Sequence, residues 1–252
     1  MALAQEINMD EIIEVYNHAF KTEKKYPFKA YITDDIYFSR LELCNSDSDR
    51  HMVEWSKNLL KSFNGLLVQP DEFDSLFYIL IKQNSSNDTN IYCKTFSHEY
   101  SHMIDYYEYK EKYNIANMRS DEIYFDFECF QFYSEVRARF RGSLIFYQLV
   151  NVENDVLIKD YEDFLIPAYK DKLRPGLIFS DHYQKMYMLA QFYGQFLAIG
   201  CKTGSMPTLP DYIKDTNVID LLLEITCKIS DTSIFENYEL ISNLYSEYLI
   251  NK

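Results

Sequence analysis

The scarcity of chain breakers limits the folds open to this sequence more than any other feature. Six glycines and six prolines are spread over 252 residues, against 23 tyrosines and 18 phenylalanines. Few breakers and many large side chains favour a helix-rich fold around an aromatic core. The length suits one domain, or one domain with a large extension.

Local patterns divide the chain into a mixed first half and a helical second half. Residues 3–22 read as an amphipathic helix with Ile12, Val15, Ala19 and Phe20 at helical spacing, ended by Pro27. Residues 28–43 contain β-rich pieces, FKAYI and IYFSRLEL, and Asp47 or Ser48 caps a helix running to about Phe63. After the Asn64-Gly65 turn signal, LLV at 66–68, SLFYILI at 75–81 and IYCKTF at 91–96 read as short strands. Helices are expected at 97–110, 121–150, 154–172, 180–200, 216–229 and 232–250. The expected fold class is therefore α+β: a small mixed sheet and an active-site helix, followed by a mainly helical C-terminal half. We expect a single unit over 1–252, with a core at about 28–150 and a helical extension at about 151–252.

Charge and cysteine usage narrow the function classes. The formal net charge is -14, and nucleic-acid binding draws on clustered Lys and Arg, so no nucleic-acid partner is expected. The five cysteines show no CxxC pair and are odd in number, which points to free thiols in a reducing cytoplasm. The N-terminal residues carry acids where a secretion signal needs positive charge. The most apolar stretch, 186–200, is too short and too polar to span a bilayer and reads as a buried helix. A cytoplasmic chain with no membrane partner is expected; the sequence assigns no oligomeric state.

The chemistry concentrates at His98-Glu99-Tyr100-Ser101-His102. Residues four apart lie one turn apart on one helix face, so both imidazoles can reach one metal ion, and neutral imidazole suits zinc. Glu99 projects beside the metal, where it can take a proton from a zinc-activated water. A catalytic zinc usually has three protein ligands, and no third histidine follows at the usual spacing. Glu135, inside the aromatic-rich FYSEVRARFRG, is the preferred third ligand; Glu122, with Asp126 four residues later, is the alternative, and Glu128 is a third candidate. Glu122 and Glu135 stand about 140° apart around an ideal helix, so they cannot share a role.

HEYSH followed by a glutamate on a second helix resembles the gluzincin branch of the zincin metallopeptidases. HEYSHMIDYY followed later by YSEVRARF also looks like the compact zincin-like proteins of phages and mobile elements. The resemblance covers about residues 28–150 and implies a small sheet behind two zinc-binding helices, with a glutamate of SExxA type as third ligand. It also implies an edge strand that pairs with an extended peptide, which in this chain would be 91–96. The pattern departs from the family where Glu135 is followed by Arg139, while the ExxxD spacing is met only at Glu122.

Weaker candidates complete the reading. Asp105 could orient a histidine or be a solvated helix residue, and Arg137, Arg139 and Arg141 read as surface ion-pair partners. His182 or Tyr183 could donate to an oxyanion as a transition-state stabiliser. His18 and His51 have no partner spacing. Two functions follow: a zinc peptidase acting on a peptide or protein substrate, or a catalytically quiet zincin-like scaffold that binds a partner protein.

Overall fold

The computed structural model describes residues 5–6, 9–22, 26–69, 76–83, 89–114, 127–173, 182–214 and 218–250. The fold is α+β, and the chain divides into two compact units, Met1–Ile123 and Tyr124–Lys252.

The first unit is built on a four-stranded mixed sheet. Its strands are β1 (Gln5–Glu6), β2 (Phe28–Thr33), β3 (Gly65–Val68) and β4 (Phe77–Lys82), in the order β1-β2-β4-β3. β2 and β4 run parallel, with Phe28 opposite Phe77 and Thr33 opposite Lys82. β1 and β3 are antiparallel to their neighbours and form the edges. The sequence of β4 explains its inner position. Phe77, Ile79, Leu80 and Ile81 are all buried, the near-continuous apolar run of a strand covered on both faces.

One face of this sheet packs on α2 (Ile36–Glu42), where Ile36, Val68 and Leu80 form a cluster. Asp35 caps that helix, accepting from the backbone N–H of Tyr37 and Phe38. Two further helices follow, α3 (Asp47–Trp55) and α4 (Lys57–Ser62), and Tyr37, Val53 and Leu60 pack together. Arg40 and Asp49 form a buried ion pair at 2.6 Å. α5 (Thr89–Tyr113) packs against β3, β4 and α1 (Asp10–Phe20).

Three local expectations are corrected here. Residues 91–96 are not a strand but lie inside α5. Tyr92, Cys93, Phe96 and Tyr100 are buried, and that stripe has helical spacing, visible only when the window runs past residue 96. IYFSRLEL is likewise helical, because Ile36, Tyr37, Ser39 and Arg40 turn to the core at helical spacing. On α1 the buried residues are Tyr16 and Phe20, while Val15 and Ala19 are exposed.

The second unit is helical in its described residues. α6 (Phe127–Leu149) is followed by α7 (Asn154–Asp160), a π-helical turn (Tyr161–Leu165) and α8 (Ile166–Leu173). The wide turn answers Pro167, which has no N–H to donate and would clash with the carbonyl four residues earlier. Ile166 donates to Tyr161 O across it. α9 (His182–Thr203), α10 (Asp211–Lys214), α11 (Ile219–Lys228) and α12 (Tyr238–Ile250) complete the unit. α6 and α9 pack face to face at Gly194, where a Cβ would stand 2.5 Å from Val136 O and 2.7 Å from Arg139 Cβ. Among the described residues no helix is long and apolar enough to cross a membrane.

Candidate metal centre

The HEYSH motif lies on α5, and its two kinds of residue do two kinds of work. Tyr100 and Ser101 are buried in the core. Tyr100 packs edge-on to Tyr16 at 5.1 Å and against Phe28 at 5.5 Å, and burial pushes its phenol up to about 12. Ser101 Oγ donates to Ser97 O at 2.7 Å and shares a hydrogen bond of 2.7 Å with the Tyr16 hydroxyl. These inward contacts fix the rotation of the helix. His98 and His102 are left partly exposed, one turn apart, with ring centroids 4.8 Å apart and planes at 84°.

Glu99 is only 9% exposed. Its carboxylate lies beside the first residue of edge strand β3. A Cβ on Gly65 would meet Glu99 Oε1 at 2.8 Å and Thr95 Cγ2 at 2.4 Å, so only glycine lets the strand and the carboxylate lie this close. Asp105, one turn beyond His102, is fully buried and is not a solvated helix residue.

In the second unit, Glu135 is buried at mid-length of α6. The Gln191 amide of α9 donates from Nε2 to Glu135 Oε1, and the same Nε2 lies 3.3 Å from the Tyr187 hydroxyl. Tyr169 is raised by burial, with the Arg139 cation lowering it and the Glu135 carboxylate raising it.

Among the described residues, one group of three or more side chains could hold a metal ion: His98, His102 and Glu135, with one ligand atom from each within 4.8 Å of the others. The other candidates fall elsewhere. Glu122 and Asp126 lie outside the described residues. Glu128 accepts from the Tyr245 hydroxyl at 2.9 Å. His182 and Tyr183 open α9, but their side chains lie outside those described. His18 is exposed, and His51 makes a 4.0 Å surface contact to Glu54.

The arginines correct the surface reading. Arg137 and Arg141 are completely buried. Arg137 donates to Asp231 O at 3.0 Å and Thr232 O at 3.1 Å, and Arg141 donates to Asp231 O at 3.0 Å. The Arg137 guanidinium also lies over the Tyr133 ring, 5.6 Å from its centroid, and both heads hold the segment between α11 and α12. Arg139 donates to Gln195 Oε1 at 2.9 Å. The sequence signal was their interleaving with Phe132, Tyr133 and Phe140. Gln191 and Gly65 were not singled out as site residues; a lone glutamine inside MLAQFYGQF was the available hint for the first.

Comparison with known protein families, with curated proteins and with solved structures finds no match for this chain.

Proposed function

We propose that this chain is a zinc-dependent metallopeptidase of the gluzincin type, in which His98, His102 and Glu135 hold the metal and Glu99 is the general base. The observation that carries the reading is a grouping of two imidazoles and a carboxylate within 4.8 Å, with a second carboxylate adjacent to one of the imidazoles in sequence and outside the ligand set. The donor set fits zinc: nitrogen and oxygen ligands, three in number, leave one coordination position open. Glu135 is only 7% exposed and accepts from the neutral Gln191 amide, which leaves its negative charge to attract a cation. When bound, zinc would lower the pKa of a water to about 7 and polarise a substrate carbonyl.

The chain's own residues supply the rest. Glu99 accepts a proton from the attacking water and returns it to the leaving amine, so one carboxylate serves as base and then acid. The substrate is an extended peptide. β3 replaces residues 91–96 as the edge that receives it, since β3 ends the sheet order and its Gly65 lies beside Glu99. Backbone pairing along a sheet edge gives affinity with little regard to side chain. The five cysteines are free thiols, which suits work in the reducing cytoplasm.

The test is metal content together with Glu99→Gln. Protein purified without added metal is expected to carry one zinc per chain. Glu99→Gln is expected to keep that zinc and lose hydrolysis by about 10²–10⁴-fold. A parent that neither carries zinc nor takes it up removes the reading, and a fully active Glu99→Gln removes the assigned base.

A further inference from the structure

We infer that Gln191 is a positioning residue that orients the Glu135 carboxylate for the metal. The inference rests on the zinc reading above and adds a residue to it. Three features of the second unit converge on this glutamine. Its amide donates to Glu135 Oε1. It is itself held: Tyr187, one turn earlier on α9, offers its hydroxyl to the same Nε2 at 3.3 Å. And it sits on the part of α9 that packs against α6. Gly194 is three residues on and faces Val136 and Arg139, the neighbours of Glu135 on α6, so the missing Cβ is what brings the amide within reach.

The chemistry of the donor matters. A carboxylate only accepts, so the amide must turn its NH₂ toward it. An amide is neutral. It fixes one carboxylate oxygen without cancelling the negative charge, whereas a lysine or arginine there would compete with a metal dication for that charge. Glu135 and Gln191 are 7% and 9% exposed, so water competes weakly for the bond. Partners of this kind typically account for about 10–100-fold in metal affinity.

The test uses the full-length chain. Zinc affinity by chelator competition, and the visible spectrum of the cobalt-substituted protein, are measured for the parent, Gln191→Met, Glu135→Ala and the double variant. Gln191→Met is expected to weaken zinc binding about 10–100-fold and to alter the cobalt absorption. In the Glu135→Ala background the same change is expected to shift affinity by no more than about twofold, because its effect runs through Glu135. Gln191→Leu replaces Gln191→Met if the metal-free melting temperature shows the latter unfolded. An unchanged affinity and cobalt spectrum overturns the inference, and so does an equal loss in both backgrounds, which a merely structural role would produce. A parent that binds neither zinc nor cobalt overturns the metal reading itself, a result distinct from either.

Discussion

A Cβ added to Gly65 would stand 2.8 Å from Oε1 of Glu99. An edge strand and a buried carboxylate therefore share a space that only a hydrogen can occupy. Gly65→Ala is expected to push the carboxylate aside without touching either histidine. Misplacement of a reacting group by about 1 Å can cost about 10²-fold in rate. The proposed peptidase activity should fall by about that factor while zinc content is unchanged, as read by turnover on a validated substrate and by elemental analysis.

Replacing the two rival acids separates them. Glu135→Ala should weaken zinc binding by more than about 100-fold, beyond what an outer partner contributes, and Glu122→Ala should leave it near the parent value. Chelator competition measures both. The opposite ranking would return the third-ligand role to Glu122, with Asp126 behind a histidine.

The buried arginines make a prediction about stability alone. Arg137 donates to the carbonyls of Asp231 and Thr232. Arg137→Met keeps the stem and removes both donors, and an unmet buried acceptor costs about 1–3 kcal/mol. Arg141 still reaches Asp231 O at 3.0 Å and, at greater length, Thr232 O at 3.4 Å, so the expected loss lies at the lower end, about 1 kcal/mol in urea unfolding, with zinc binding of the folded protein intact.

Alkali should unfold the second unit. Burial pushes the phenols of Tyr193 and Tyr212 up to about 12, above the usual value near 10. A raised folded-state pKa means that the unfolded chain loses these protons first. Their contribution is complete below about pH 10 and is lost as pH rises toward 12. Tyrosinate absorbance and far-ultraviolet circular dichroism, followed together through that window, are expected to change in one step. Tyr193→Phe should soften the step, at the cost of its hydrogen bond to Leu222 O at 2.9 Å.

The α+β class and the helical second half were legible because long periodic segments declare themselves. The histidine pair was legible because four residues make about one helical turn. Residues 91–96 were not, since six residues rich in aromatic and β-branched side chains fit a strand as well as a helix. The helix became evident only through burial of Tyr100, Met103 and Ile104 farther along. The arginine heads were missed for another reason. Their partners are backbone carbonyls about ninety residues away, and carbonyls leave no mark on a sequence. Gln191 escaped in the same way, because its importance lies in facing Glu135 from another helix.

The packing of HEYSH has a consequence for how the motif tolerates change. Tyr100 and Ser101 are gripped by Tyr16, Phe28 and Ser97, while His98 and His102 are spared that duty. Saturation mutagenesis scored twice, for cellular abundance and for turnover, should therefore separate positions 100 and 101 from positions 98 and 102. Changes at 100 and 101 should deplete the protein from the cell. Changes at 98 and 102 should leave its level intact and silence it. A drifting lineage could thus lose the chemistry by one substitution and keep the scaffold, whereas the reverse order is closed to it.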